Sequence, residues 1–281
     1  MKSYLRLMRI RHWVKNVLVF VPLLFSGLLF DFQKSFRTFF GGVSFCFISS
    51  AVYILNDIKD FEKDRVHPRK CNRPIASGEI SKRKAIILTL FCIAAAIIFQ
   101  IFSGNIQAGI YLLLYFILNV FYSFGLKDRP MIDIIILVSG FLIRILYGAD
   151  MADISISAWL YLTVISGSFY MGLGKRRNEY ETTEYEKSRH VLQYYNYKFL
   201  DKNMYMCLGL ANAFYSLWAM DSGNRYILWT VPVVLLISMK YSLVVEGDSD
   251  GDPVEVILHD KLILFLVCTY AVFILFALYY K

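Results

Sequence analysis

Nine apolar segments of membrane-spanning length constrain this chain more than any other feature. They lie at roughly 16–30, 39–56, 85–103, 106–124, 131–149, 157–174, 204–220, 226–245 and 262–280. A run of about 18 or more residues with few charges is long enough for a helix to cross a bilayer. The pattern predicts an all-α integral membrane protein, a bundle of about nine transmembrane helices forming one domain over residues 1–281. The first segment lacks a small-residue cleavage site, so no cleaved signal peptide is expected.

Basic residues are distributed asymmetrically between the two sides of the predicted bundle. One side receives the basic N-terminal segment, nine basic residues in 59–84 and the basic group in 175–202. The other side has only Lys34, Arg37, Arg225 and Lys281. The positive-inside rule then places the N-terminus and the long loops in the cytosol, for a multi-pass protein of the plasma membrane. The net charge of +8 reflects this topology, and nucleic-acid binding is not expected because the charge is spread over loops.

A cluster of oxygen ligands follows the second apolar segment. On a helix, Asn56, Asp60 and Asp64 are spaced i, i+4 and i+8, and Asp57 lies three residues before Asp60, so their side chains share one face. Clustered carboxylates repel one another unless a cation neutralises them. Oxygen ligands suit Mg²⁺, which is usually held by one or two carboxylates plus water and substrate phosphates. We therefore predict a metal–diphosphate site here, with all four residues as metal ligands and the three aspartates as catalytic residues. The alternative is an ordinary charged loop.

Basic residues after the aspartates are candidate phosphate ligands, because guanidinium forks suit phosphate geometry. This set contains Arg65, Arg69, Lys70 and Arg73. Lys15 stands at the start of the first span, where a cation is costly unless it faces a polar cavity. Arg144 is the only basic residue well inside an apolar run, so it should face the bundle interior and pair with an anion. That anion is either Asp133 in the same segment or a bound phosphate.

Three further features of the sequence bear on candidate binding sites. Residues 174–179 read Gly-Lys-Arg-Arg-Asn-Glu, which fits either a phosphate site or, for Arg176 and Arg177, a membrane anchor. Residues 251–255, Gly-Asp-Pro-Val-Glu, form an acidic loop against the positive-inside trend, where a second metal or a sugar hydroxyl could bind. The five cysteines are odd in number and contain no CxxC pair, so neither a zinc site nor a disulfide framework is indicated.

The order of these motifs resembles a known family. Asn-Asp-x-x-Asp-x-x-x-Asp at 56–64, followed by Asn-Arg-Pro-x-x-x-Gly at 72–78, resembles the UbiA-type membrane prenyltransferase superfamily. That resemblance implies an all-helical bundle in which Asp-rich motifs bind Mg²⁺ and a diphosphate. Aromatic prenyltransferases of the superfamily carry a second Asp-rich motif after the sixth span, where this chain has the basic stretch 174–179.

Four other stretches resemble the decaprenyl-phosphate phosphoribosyltransferase branch of that superfamily. They are Arg-x-x-x-Trp-Val-Lys-Asn at 9–16, Tyr-Ser-x-x-Leu-Lys at 122–127, Gly-Lys-Arg at 174–176 and Gly-Asp-Pro-x-Glu at 251–255. The branch transfers 5-phosphoribose from 5-phosphoribosyl 1-diphosphate to a polyprenyl phosphate in an Mg²⁺-dependent reaction that releases diphosphate. By the same resemblance the product would be a lipid-linked pentose donor for cell-envelope polysaccharide. The phosphates of both substrates would be bound by Lys15, Lys70, Arg73, Tyr122, Lys127, Arg144 and Lys175.

Two other functions stay open at this point. An aromatic prenyltransferase using a polyprenyl diphosphate donor is disfavoured by the basic residues at 174–177. A cation-coupled transporter is disfavoured because transporter ion sites usually lie near the bilayer midplane, whereas the aspartates fall at a cytosolic helix end. Small residues at Gly41 and Gly42 could pack helices within or between subunits, so a homo-oligomer also stays open.

Overall fold

The structure, a computed structural model, describes residues 2–68, 70–182, 190–246, 256 and 260–279. Every regular element within these ranges is helical. Arg69 and the motif at 251–255 lie outside the described residues. The prediction of an all-helical protein is confirmed.

Helices cover the predicted apolar segments with the exception of the first. They are α1 (Lys2–Leu7), α2 (Val21–Phe25), α3 (Phe32–Lys59), α4 (Phe61–Val66), α5 (Lys82–Phe102), α6 (Gly109–Ser123), α7 (Ile132–Met151), α8 (Ala158–Thr182), α9 (Tyr197–Asp221), α10 (Arg225–Leu228), α11 (Val231–Val245) and α12 (Lys261–Tyr279). Short 3-10 helices connect some of them, at Ile10–Phe20, Lys70–Asn72, Leu126–Asp128 and His190–Tyr194.

Five helical stretches among the described residues are long and apolar enough to cross a membrane. They are Phe32–Lys59, Lys82–Phe102, Ile132–Met151, Arg225–Val245 and Lys261–Tyr279. The predicted first span is different, because the chain there folds as the 3-10 helix Ile10–Phe20 followed by the short α2. The count of nine spans therefore stays a prediction.

Helix α3 delivers the Asp-rich motif, and both of its ends have clear physical causes. At its start, Asp31 has extended backbone and its carboxylate accepts a hydrogen bond from the Lys34 N–H at 3.0 Å, a standard N-cap. At its end, Asp60 leaves helical geometry with φ −87° and ψ 6°, and α4 begins at the next residue. The predicted helical face is thus interrupted at Asp60, with Asp57 on α3 and Asp64 on α4.

The described residues form two compact units. The first is drawn from residues 1–23, 28–126 and 143–154, and the second from 24–27, 127–142 and 155–281. The prediction of a single domain over the whole chain stays a prediction.

The core of the first unit is built around aromatic side chains. Phe45 and Tyr147 are fully buried with their ring centroids 5.5 Å apart, and Tyr147 donates a hydrogen bond to Gln100 Oε1 at 2.5 Å. Gly148 follows at a point of close backbone approach, since a Cβ at this position would lie 1.9 Å from the Val19 carbonyl oxygen. A glycine is needed here to let α7 contact the backbone of the 3-10 helix Ile10–Phe20.

The second unit has its own apolar core. Its buried members include Ile134, Val138, Tyr170, Leu200 and Met204, which come from α7, α8 and α9. Helices α8 and α9 are therefore held together by side-chain packing near the residues that follow the sixth apolar segment.

Replacing Gly148 by alanine should destabilise the protein, because the new methyl group would clash with the Val19 backbone. Backbone atoms cannot move aside as the end of a flexible side chain can. We expect a loss of about 1–3 kcal/mol and a lower melting temperature of the detergent-purified protein. The matched control is Gly167→Ala in α8, where nothing lies within 4 Å of the added Cβ. That control should be neutral or slightly stabilising. Equal melting temperatures for both variants would contradict the close contact.

Candidate active site

Two buried carboxylates of the Asp-rich motif converge on one guanidinium. Arg73 Nη1 lies 3.1 Å from Asp57 Oδ1 and 2.7 Å from Asp64 Oδ2. Both aspartates are almost completely buried, whereas Arg73 is about one quarter exposed. Burying carboxylates without a cation would be very costly. Arg73 pairs with both carboxylates, and its single positive charge balances one of the two negative charges.

A second arginine reaches the same carboxylate from the N-terminal segment. Arg9 Nη2 lies 2.5 Å from Asp57 Oδ1, and its guanidinium sits 4.9 Å from the Tyr53 ring centroid. Arg9 is not among the site residues that the sequence predicts, although it is the first residue of the motif at 9–16. The motif itself was the available signal, since it begins at Arg9.

The other predicted metal ligands take different positions. Asn56 Oδ1 accepts a hydrogen bond from Ser123 Oγ at 3.1 Å, which ties α3 to the end of α6 next to the predicted residue Tyr122. Asp60 is half-buried at the junction between α3 and α4. Lys70 opens the 3-10 helix Lys70–Asn72 that leads directly to Arg73.

Arg144 faces the interior of the first unit, as predicted. It is 5% exposed, its Nε donates to Asn16 Oδ1 at 2.8 Å, and its Nη2 donates to Tyr115 OH at 3.2 Å. The guanidinium also lies 4.9 Å from the ring centroids of both Phe45 and Tyr115. Lys15 is half-buried beside Asn16 in the 3-10 helix Ile10–Phe20.

The alternative pairing of Arg144 with Asp133 is wrong. Eleven positions separate the two residues in α7, which is about 16 Å at the helical rise and far beyond the reach of an arginine side chain. Asp133 instead binds Arg176, whose Nε lies 2.5 Å from Asp133 Oδ2 with both side chains fully buried. Tyr195 donates its hydroxyl to Asp133 Oδ1 at 2.7 Å. Burial, with this hydrogen bond, raises the pKa of Tyr195 and keeps the hydroxyl protonated.

Arg177 forms a second buried ionic cluster in the same unit. Its Nη1 lies 2.6 Å from Asp201 Oδ1 and 2.8 Å from Glu246 Oε1. Tyr205 also donates to Glu246, and these bonds, first of all the one from Arg177, lower the pKa of the Glu246 carboxyl. The alternative that Arg176 and Arg177 are membrane-surface anchors is wrong, because both are buried inside the protein.

The predicted site residues are divided between the two units. The first unit contains Lys15, Asn56, Asp57, Asp60, Asp64, Lys70, Arg73, Tyr122 and Arg144. The second unit contains Lys127 and Lys175. Their assignment to metal or phosphate stays a prediction.

The Asp-rich motif has the donor chemistry that Mg²⁺ requires. Within the described ranges no three His, Cys, Asp or Glu side chains form a ready-made metal site. Mg²⁺, however, is usually held by one or two carboxylates, with waters and substrate phosphates completing its coordination. Asp57 and Asp64 already share one cation, the Arg73 nitrogen, so the residues fit an ion that binds together with a diphosphate.

Comparison with known proteins identifies the family. A profile of the UbiA prenyltransferase family matches residues 17–257, and the chain belongs to this family. Proteins named decaprenyl-phosphate phosphoribosyltransferase are similar over most of their length. The one from Mycolicibacterium smegmatis is 33% identical over 285 residues, covering 93% of this chain and 88% of the relative. The one from Corynebacterium glutamicum is 32% identical over 288 residues, covering 98% and 86%. The predicted family, branch and enzyme class, a transferase, are confirmed.

Solved structures show the same fold. A UbiA homologue from Archaeoglobus fulgidus bound to GPP and Mg²⁺ superposes with a TM-score of 0.75 at 17% identity, covering 99% of this chain and 100% of the homologue. Digeranylgeranylglyceryl phosphate synthase superposes with a TM-score of 0.67 at 18% identity, covering 100% and 99%. The family and the apolar helices make this chain an integral membrane protein.

Removing one carboxylate partner of Arg176 in the second unit should be destabilising. Asp133→Asn leaves Glu179 as the remaining carboxylate bound to Arg176 and weakens the buried hydrogen bonds from Arg176 and Tyr195. We expect a loss of about 1–3 kcal/mol and a clear drop in melting temperature. The control is Asp153→Asn, which breaks the exposed pair between Arg37 and Asp153, 3.1 Å apart. Exposed pairs contribute at most about 1 kcal/mol, so this variant should melt like the parent. A parent-like Asp133→Asn variant would show that the pair is not buried.

Proposed function

We propose that this protein transfers 5-phosphoribose from 5-phosphoribosyl 1-diphosphate to a polyprenyl phosphate and releases diphosphate. One observation carries the proposal: the cation-bridged pair of buried carboxylates, Asp57 and Asp64, forms the Asp-rich motif of a chain 30–33% identical to decaprenyl-phosphate phosphoribosyltransferases. A donor with phosphates at both ends needs a metal-binding surface at one end and cations at the other.

The first step is capture of the donor diphosphate at the Asp-rich motif. Asn56, Asp57, Asp60 and Asp64 are the ligands that would hold Mg²⁺. When bound, Mg²⁺ supplies neutralisation of the negative charge that develops on the departing diphosphate. Arg73 lies at the same place with its guanidinium, which can bind phosphate oxygens through two parallel hydrogen bonds.

Other cations would position the remaining phosphates. Lys15, Lys70 and Arg144 contribute positive charge in the first unit. Tyr122 adds a hydroxyl at the end of α6, next to the Ser123 that holds Asn56. The acceptor phosphate is already an anion, so it can attack the anomeric carbon without a strong base.

The distribution of basic loops supports a cytosolic active site in the plasma membrane. In that orientation the soluble donor arrives from the cytosol, while the acceptor's hydrocarbon tail stays in the bilayer. The product would serve as a lipid-linked pentose donor for cell-envelope polysaccharide.

The second candidate function is transfer of a prenyl group from a polyprenyl diphosphate to an aromatic acceptor. The Archaeoglobus homologue with bound GPP and Mg²⁺ is the observation that favours it. Against it, the residues in place of a second Asp-rich motif are Arg176 and Arg177, which are buried and bound to carboxylates of this same chain. A second metal site at that position is therefore disfavoured.

Neutralising one motif carboxylate should abolish transfer without unfolding the protein. Purified protein with Mg²⁺, polyprenyl phosphate and radiolabelled 5-phosphoribosyl 1-diphosphate should form a labelled lipid. Asp60→Asn should reduce this rate by about 100-fold or more, because charge stabilisation of the leaving group is lost. A chelator should stop the reaction, and added Mg²⁺ should restore it.

The matched control is Asp31→Asn at the opposite end of the same helix. Asparagine caps helices as well as aspartate does, so this variant should keep parental activity. Absence of labelled lipid from folded parental protein with several acceptor chain lengths would contradict the proposal. Product formation from a polyprenyl diphosphate and an aromatic acceptor would support the second candidate.

A further inference from the structure

The N-terminal segment is fixed to α3 by one buried serine. Ser50 is fully buried, and its hydroxyl proton is shared between the Met8 carbonyl oxygen at 2.9 Å and the Cys46 carbonyl oxygen of its own helix at 3.0 Å. The same hydroxyl accepts a hydrogen bond from Trp13 Nε1 at 2.9 Å. The chain is therefore held to α3 on both sides of Arg9.

Arg9 has a backbone conformation that residues other than glycine rarely adopt. Its φ is 52° and its ψ is 49°, in the left-handed region that favours glycine. A strained residue persists only where its surroundings enforce it, and such residues concentrate at functional sites. Here the enforcing contacts are the Ser50 bonds, and the result is that Arg9 points along α3 toward the Asp-rich motif.

Three residues of α3 line the path of the Arg9 side chain. Ser50, Tyr53 and Asp57 are spaced i, i+3 and i+7, so they share one helical face. Ser50 fixes the backbone next to Arg9, Tyr53 stacks on the guanidinium at 4.9 Å, and Asp57 accepts its hydrogen bond at 2.5 Å. The arginine is thus oriented at three points toward a carboxylate proposed to bind metal.

We propose that Arg9 is a donor-binding residue that serves as the counter-ion of Asp57 until the metal and the donor bind. The proposal rests on the function proposed above. Without metal, Arg9 and Arg73 neutralise the buried carboxylate. Once Asp57 is a metal ligand, the Arg9 guanidinium is released from it and binds the donor's diphosphate, whose oxygens suit its planar fork.

This exchange predicts that removing Arg9 changes the Mg²⁺ affinity and the donor affinity in opposite directions. Arg9 competes with a metal ion for Asp57, so its removal should strengthen binding of Mg²⁺ alone. Arg9 also contributes a charge-assisted hydrogen bond to the donor, so its removal should weaken binding of 5-phosphoribosyl 1-diphosphate in saturating Mg²⁺. General damage to the site would weaken both.

The test is calorimetric titration of the purified full chain with Mg²⁺ alone, and then with 5-phosphoribosyl 1-diphosphate in saturating Mg²⁺. The variant is Arg9→Gly, because glycine adopts the left-handed backbone without strain. We expect its Mg²⁺ affinity to rise several-fold and its donor affinity to fall about ten- to hundredfold, the contribution typical of a hydrogen bond to a charged group. Arg9→Lys keeps the cation and should bind Mg²⁺ alone as the parent does.

The control is Arg11→Ala, which removes an exposed cation two positions away and should change neither affinity. Unchanged or weaker Mg²⁺ binding in Arg9→Gly would overturn the exchange, as would unchanged donor affinity. Failure of the parent protein to bind the donor at all would instead contradict the proposed function. The two failures are therefore distinguishable.

Discussion

The buried negative charge of Asp57 and Asp64 is the constraint on which the rest of the candidate site depends. Two carboxylates removed from water need cationic partners. Arg73 pairs with both of them, and Arg9 pairs with Asp57. Arg73 reaches them because the segment after α4 folds back onto the bundle. Ile75 and Ile80 fix that segment by packing with Leu7, Met8 and other buried apolar side chains. Apolar packing thus places a cation at a polar site, and the same packing holds the N-terminal segment that delivers Arg9.

The second unit also buries charged side chains and pairs them with oppositely charged side chains of the same unit. Arg176 and Arg177 are fully buried, and each is neutralised by two carboxylates of the chain itself. These arginines hold together the ends of α7, α8, α9 and α11 through their ion pairs. The basic stretch at 174–179 therefore separates into two structural arginines and one lysine, Lys175, that stays a predicted phosphate ligand.

Composition and spacing predicted the helical fold and the motif, but tertiary contacts decided the details. Apolar segment length predicted helices near the observed boundaries, because burial and helix length follow directly from local sequence. The break at Asp60, the partner of Asp133 and the left-handed backbone of Arg9 depend on residues distant in sequence. These three features cannot be predicted from the periodicity of the local sequence. The motif at 9–16 contains Arg9, but the sequence does not show that the bonds to Ser50 help to bring the arginine to Asp57.

The central claim is that Asp57 and Asp64 bind a metal together with the donor diphosphate, and that the guanidinium groups of Arg9 and Arg73 then bind the phosphates. The most direct measurement is an anomalous-scattering map of crystals grown with Mn²⁺ in place of Mg²⁺ and with 5-phosphoribosyl 1-diphosphate. The account predicts an anomalous peak about 2.0–2.3 Å from oxygens of both aspartates and of the diphosphate, with Arg73 moved onto phosphate. A peak elsewhere, with Arg73 still bridging the two carboxylates, would contradict it.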